Sequence, residues 1–299
     1  MTAGAQPCRI CGSDEVALVK PANISSQVQS KDFQITDHHY GVTLAIYRCD
    51  KCGFMQCTEV ADTVNFYQAL EDPEYEAGRS LRLLQAKAIL KTVIQTISVL
   101  HSGSRLLDIG AGSGILVEAA TNMGFDAEGI EPSNWLQALA VKNGCRVHSG
   151  VLPHPAVNGP FDAVTIIDVI EHVDDPRALL KSAASLVSQS GVVVIVTPDA
   201  GSILARLMGW RWWHYRIAHV GYFTRHNLEL ACQRGGLRVV ATSRPGWVFS
   251  MDYLLTRLRN YLPAWLLPRA RTWMQRVSIP LNLGDSLMVI ARPDKESNY

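Results

Sequence analysis

No run of eighteen uncharged apolar residues occurs in the 299-residue chain, so the sequence predicts no membrane-spanning helix. The first fifteen residues, MTAGAQPCRICGSDE, lack a positive segment followed by an apolar run, so no secretion signal is expected. Neither sign of charge prevails: 28 basic against 27 acidic residues leave +1, which argues against general nucleic-acid binding. Internal repeats and low-complexity tracts are also missing. Cysteine is the exception to this plainness, with seven residues. An odd count without a secretion signal favours a reducing compartment, so cytoplasm is the expected location and disulfides are not expected.

What is present is ordinary globular material, 47% hydrophobic and 18% charged, enough for a sizeable core. Residues 1–60 carry the first five cysteines and short alternating runs such as VTLAIYRC, which read as β-hairpins. Residues 61–102 show apolar positions every three to four residues and read as substrate-side or linking helices. From 103 onward, strand-like segments (RLLDIG, FDAEGIE, CRVHSG, FDAVTIID, GVVVIVTP, LRVVAT) alternate with helical ones. That alternation predicts an α/β fold, a mostly parallel sheet covered by helices on both faces. DSLMVIAR supplies a last strand, and residues 243–284 form a long lid-like insertion before it.

LLDIGAGSGILVEAA is the most informative stretch. A strand runs into Gly110, Gly112 and Gly114, and a helix follows at once. Glycines permit positive φ and close backbone approach, and the helix start offers free N–H groups. A dinucleotide site would read G-x-G-x-x-G. Here the spacing is D-x-G-x-G-x-G, and the carboxylate of Asp108 would repel a pyrophosphate but suits a cationic ligand. Glu131 ends the next strand, where a carboxylate can accept both hydroxyls of a ribose.

With these residues in place, the region 104–242 plus the last strand resembles the class I S-adenosylmethionine-dependent methyltransferases. LLDIGAGSG, GIEPS, FDAVTIIDVIEHVDDP and GVVVIVTPD match that family's successive strand motifs, and IEHV is similar to the ubiquinone-biosynthesis O-methyltransferase group. The resemblance implies a seven-stranded Rossmann-like sheet with an antiparallel last strand. It implies that Asp108 and the Gly110–Gly114 loop hold the methionine part of the cofactor, that Glu131 holds the ribose, and that Asp168 and Val169 line the floor of the cleft. The acidic residue common after the third strand is replaced here by HSGVLPH.

Methyl transfer to oxygen or carbon needs alignment and removal of a proton, and histidine is the natural base. His172 follows the fourth strand at the mouth of such a cleft. His219, ahead of Tyr222, Phe223 and Thr224, lies where this family places its substrate-covering segment. Both are expected catalytic residues. Asp168, Glu171 and His172 are an alternative divalent-cation set. His214 and His226 read as surface or packing residues, and Trp210, Trp212 and Trp213 as lid anchors.

Cys8 and Cys11, then Cys49 and Cys52, form C-x2-C-x37-C-x2-C with a glycine after each pair. Two such knuckles are what a tetrahedral structural zinc requires. Buried free thiols are the alternative, and Cys57, Cys145 and Cys232 are expected to be core or surface thiols. A cysteine-knuckle region ahead of a methyltransferase is similar to the zinc-bearing sugar C-methyltransferases, which implies an N-terminal zinc-ribbon domain over residues 1–60. The insertion carries Arg257, Arg259, Arg269, Arg271 and Arg276 among Leu, Trp and Tyr. It reads either as a packed lid or as a basic amphipathic segment, 251–276, for peripheral membrane contact. The expected cofactors are therefore S-adenosylmethionine and zinc. The expected acceptor is a small molecule, with a sugar among the candidates. A glycan or lipid-linked acceptor, or a macromolecule directed by the ribbon, is the alternative.

Overall fold

The computed structural model describes residues 6–24, 27–36, 40–58, 63–97, 100–268 and 271–294; Arg269 lies outside them. Ahead of the main sheet come β1 (Val16–Lys20), β2 (Ile46–Cys49), β3 (Met55–Cys57), α1 (Thr63–Gln68), α2 (Pro73–Ala77) and α3 (Arg79–Thr96). The alternating part contains β4 (Arg105–Ile109), α4 (Ile115–Asn122), β5 (Asp126–Glu131), α5 (Asn134–Lys142), β6 (Val147–Ser149) and β7 (Phe161–Ile167). It continues through α6 (Pro176–Leu186), β8 (Val187–Pro198), α7 (Ile203–Met208), β9 (Gly221–Tyr222), α8 (Arg225–Arg234) and β10 (Leu237–Ser243). The insertion adds β11 (Trp247–Ser250), α9 (Met251–Leu258) and β12 (Ser278–Leu281) before the closing strand β13 (Ser286–Pro293).

Seven strands form one sheet in the order β10-β13-β8-β7-β4-β5-β6. β4 pairs in parallel with β5 and β7, whereas β13 runs antiparallel to both β8 and β10. This is the expected Rossmann-like methyltransferase sheet. The central strands are buried on both sides, as parallel strands under two helix layers must be. In β8, Val193 and Ile195 join one apolar core while Val192, Val194 and Val196 join the other. That split follows the two-residue period of a strand. Helices start where the sequence supplies caps: the side chain of Ser133 accepts from Leu136 N, and that of Asp175 from Arg177 N and Ala178 N.

A second sheet has the order β1-β2-β3-β9. Its first three strands come from the cysteine-bearing region, but β9 comes from the segment after β8. Met55 pairs with Tyr222 and Gln56 with Gly221. The two regions also share a core, in which Phe33, Leu44, Ile46 and Cys57 pack with Trp212, Tyr215, Ile217 and Tyr222. Trp212, expected as a lid anchor, is fully buried there, and its indole Nε1 donates to Asp285 Oδ2 at 3.2 Å. Replacing such a side chain by alanine costs about 3–5 kcal/mol.

The insertion is anchored at its base and open at its tip. β11 and β12 form a hairpin, and Gln85 of α3 reaches it through Gly246 O and Val248 N, both at 2.9 Å. No helix among the described residues is long and apolar enough to cross a membrane.

Candidate active site

β4 ends at Ile109, and the chain turns through Gly110 (φ 75°), Gly112 (φ 54°) and Gly114 (φ 79°) into α4. Glycine is required here for space as well as for φ. A Cβ on Gly110 would lie 2.4 Å from Val169 Cγ2, and one on Gly112 would lie 2.8 Å from Tyr75 Oη. Glu131 is fixed beside the turn: Gly112 N and Ser133 N each donate to one of its oxygens at 2.8 Å. Thr165 Oγ1 donates to Asp108 Oδ1 at 2.6 Å. Burial raises the carboxyls of both Asp108 and Glu131 to about 7. The loop, Asp108 and Glu131 thus form one cradle, which fits a ligand bearing a ribose and a cationic centre.

Asp168 and Val169 close this cradle from the end of β7. Asp168 takes φ 51°, the one left-handed non-glycine residue among those described. It is solvent-accessible, so a sparsely populated conformation is held at the open end of the strand. From the other side α2 covers the turn with Tyr75, and the Arg82 guanidinium stacks 4.2 Å over that ring. Sequence reasoning missed Tyr75 and Arg82. The only signal was DPEYEAG, where Asp72 caps α2 by accepting from Tyr75 N at 3.0 Å.

His172 lies in a 3-10 turn, Ile170–His172, after β7. Its Nδ1 is 2.8 Å from Ala218 O and 2.6 Å from Tyr67 Oη. A carbonyl only accepts, so the tautomer with its proton on Nδ1 satisfies Ala218 O and leaves the Nε2 lone pair free. Glu171 Oε1, which has no hydrogen-bond partner, stands 3.8 Å from Nε2. The His219 ring approaches that of His172 edge-on at 4.7 Å, and His214 stacks on His219 at 5.7 Å. Burial, reinforced by Arg216, lowers His172 and His214 to about 3. Burial and the neighbouring His172 also push His219 well below its usual value. All three imidazoles are therefore neutral at physiological pH, and burial opposes their protonation.

The structure brings the two expected catalytic histidines together and adds His214, which was read as a packing or surface residue. It groups Glu171 and His172 with His219, not Asp168, as a possible cation set; their ligand atoms lie within 4.8 Å of one another. Tyr67 and Arg216 were also missed, because contacts across 105 residues (Tyr67 to His172) leave no local pattern. An open depression of about 600 Å³ lies against the edge strand β10, lined by Arg225, Glu229 and Asp294. Three strands separate it from β4 and the glycine turn, and it holds none of these groups.

The four expected cysteines also converge. Cys8 Sγ lies 3.5 Å from Cys52 Sγ, and Cys11 Sγ 3.5 Å from Cys49 Sγ. The two knuckles match in detail: Gly12 N donates to Cys8 O and Gly53 N to Cys49 O, each at 2.8 Å. Both glycines have positive φ, 76° and 73°. A tetrahedron with Zn–S of about 2.3 Å has an edge of about 3.8 Å, so the four sulfurs fit that ion. Cys57, Cys145 and Cys232 are buried apart from this group, as expected of core thiols.

Against this geometry, comparison with known proteins is decisive. The family described as methyltransferase domain matches residues 81–242, just over half of the chain. The chain belongs to this methyltransferase family. The matched span contains the glycine turn, Glu131, Asp168, His172 and His219, and leaves the cysteine knuckles and the insertion outside. A ubiquinone biosynthesis O-methyltransferase of Rhodopseudomonas palustris is 32% identical over 162 residues, covering 50% of this chain and 63% of that protein. One from Haemophilus ducreyi is 35% identical over 107 residues, covering 32% of this chain and 45% of its own length. The chain therefore spans less than two thirds of these methyltransferase relatives. Among solved structures, a chain from the Haloferax volcanii complex of the Trm112 methyltransferase activator with a methyltransferase superposes with TM-score 0.54. It is 12% identical and covers 79% of this chain and 100% of its own. The PH0226 protein of Pyrococcus horikoshii gives 0.50 at 15% identity, covering 79% of this chain and 97% of its own. Both likenesses concern the fold alone, and the first is to a methyltransferase complex.

Proposed function

We propose that this protein transfers a methyl group from S-adenosylmethionine to an oxygen or carbon nucleophile of a small molecule. The observation that carries this reading is the meeting of two sets of groups at the end of β7. Glu131 and the glycine cradle lie on one side of Asp168–Val169, and neutral His172 and His219 lie on the other. S-adenosylmethionine, when bound, supplies an electrophilic methyl group. Glu131 would accept from its ribose hydroxyls, Asp108 would face its cationic end, and Tyr75 would cover the turn. His172, its Nδ1 held by Ala218 O, would present Nε2 to the acceptor and take its proton. A structural zinc on Cys8, Cys11, Cys49 and Cys52 would fix β1–β3 and, through the β3–β9 pairing, the segment that carries His219.

The test is transfer of label from methyl-tritiated S-adenosylmethionine into a fractionated small-molecule extract, with protein and RNA fractions in parallel. Label in a small-molecule fraction is expected. Label confined to protein or RNA, or no transfer at all, overturns the reading.

One observation favours a lipid-linked acceptor met at a membrane surface. At the tip of the insertion Trp265 is 82% exposed, and Leu262, Leu266 and Trp273 are also exposed. Ile203 and Leu207 of α7 are 79% and 80% exposed. The two segments adjoin, because Tyr261 Oη donates to Arg211 O at 2.9 Å. Arg259, Arg271 and Arg276 are exposed around them, and Asp252 is the sole acid in residues 251–276. Apolar tips within a basic rim suit an anionic bilayer. Flotation with phosphatidylglycerol vesicles at low salt should capture the protein, and phosphatidylcholine vesicles should not. No capture by either sinks this version.

A further inference from the structure

Arg216 stands out among the arginines of the molecule. Its side chain is only 8% exposed, yet no carboxylate lies within 4.0 Å of it among the described residues. Its Nη1 donates to Ile35 O at 3.0 Å and its Nη2 to Gln34 O, while Nε is buried without a partner. Other part-buried arginines are matched: Arg79 with Glu118 at 2.5 Å and Arg9 with Asp174 at 3.8 Å. A guanidinium stays protonated in proteins, and a buried charge without a counter-ion is costly. Carbonyl dipoles satisfy two of its five N–H groups, and no described carboxylate forms an ion pair with it.

The surroundings share this character. Arg216 acts electrostatically on His172, His214 and His219, lowering the basicity of each. Glu171, whose Oε2 accepts from Thr197 Oγ1 at 2.8 Å and whose Oε1 is unpartnered, makes no ion pair with Arg216, although the guanidinium favours its ionised form. The walls are aromatic: Tyr67 meets His172, and Tyr222 Oη donates to Arg216 O at 3.4 Å. Arg216 is thus a buried cation beside aromatic and neutral imidazole walls, with no ion pair to a carboxylate among the described residues.

We propose that Arg216 anchors an anionic substituent, a carboxylate or a phosphate monoester, on the acceptor. This deepens the small-molecule reading and rests on it. The fixed fork of a guanidinium suits either group, through two parallel charge-assisted hydrogen bonds. Because the anchor lies beside the histidines, it would set the orientation in which the nucleophile reaches His172.

The experiment is an NMR titration of the full-length protein with three probes: benzoate, phenyl phosphate and the neutral isostere benzamide. Either anion is expected to bind at least about tenfold more tightly than benzamide, the difference a charge-assisted pair provides. The tighter of the two anions identifies the source of the charge. Arg216→Met should erase the preference, and Arg216→Lys should keep part of it. Equal binding of all three probes, a preference that survives Arg216→Met, or no binding of either anion overturns the proposal. S-adenosylmethionine affinity, measured on the same samples, reports folding and tests the parent reading separately. If it is retained without any anion preference, only the Arg216 proposal fails. If wild-type protein does not bind S-adenosylmethionine, the parent reading fails.

Discussion

The proposed cofactor half and the proposed acceptor half of the site meet at Asp168–Val169 but are built in opposite ways. The cofactor half is nearly local: Asp108, the three glycines and Glu131 fall within 24 residues, on two adjacent strands and the turn between them. The acceptor half draws Tyr67, His172, His214, Arg216, His219 and Asp285 from distant parts of the chain. It is held by a small sheet whose fourth strand belongs to another region. A local cradle can form with the sheet itself, whereas a dispersed one depends on a separate clamp. On the proposed reading the cysteine knuckles are that clamp, and a zinc held there would act on the chemistry from a distance.

Removing the metal should therefore separate the halves most strongly. Chelation, or Cys49→Ser, is expected to abolish zinc binding of one ion per chain and to strip hydrogen-exchange protection from β1–β3 and β9. β4 and β5 should stay protected, since ligand binding and folding of a small metal site are coupled. Metal analysis and exchange mass spectrometry check this; full zinc content in Cys49→Ser would refute the four-thiolate site.

The two histidines proposed as catalytic provide the next contrast. His172→Ala should lower turnover about 1000-fold, within the range for loss of a general base, and leave S-adenosylmethionine affinity within about twofold. His219→Ala should act in the same direction. Unchanged turnover in both variants removes the base assignment.

The two halves should also respond to pH in opposite directions. His172 and His214 are lowered from 6.5 to about 3, so the unfolded chain binds more protons between those values. Their contribution to stability is present above 6.5 and is lost as pH falls toward 3. Asp108 and Glu131 are raised to about 7 from 3.8 and 4.5. The folded protein holds their protons in that window, so their contribution is full below about 4 and is lost as pH rises through 7. Exchange at pH 5 against pH 7.5 should show weaker protection around 214–222 and equal or stronger protection in β4 and β5. Parallel loss in both halves would show that they do not titrate independently.

The same division explains what could be read from the chain in advance. LLDIGAGSG carries its own geometry, because positive φ, strand end and helix start are all local properties, so the cofactor cradle and the order of the main sheet were legible. The cysteine pairs were legible because a knuckle is a local turn, and only its partner is remote. His172 and His219 could be placed by their position after particular strands. Tyr67 and Arg216 could not, since each acquires its role from packing against segments more than 100 residues away. Tyr75 was hidden differently: its helix was expected, but its position over Gly112 depends on how α2 docks, through the bonds of Thr36 N and Oγ1 to Asp72 at 2.9 and 2.7 Å. β9 escaped notice because two residues are too short to show an alternating pattern.

Calorimetric titration of S-adenosylmethionine into wild-type, Glu131→Ala and zinc-stripped protein tests the central claim most directly. One site per chain is predicted for the wild type, with affinity about 100-fold weaker in Glu131→Ala, where a buried hydrogen-bonding carboxylate is lost. Zinc-stripped protein should bind nearly as tightly as wild type. Absence of binding to wild-type protein, or equal affinity in Glu131→Ala, would contradict it.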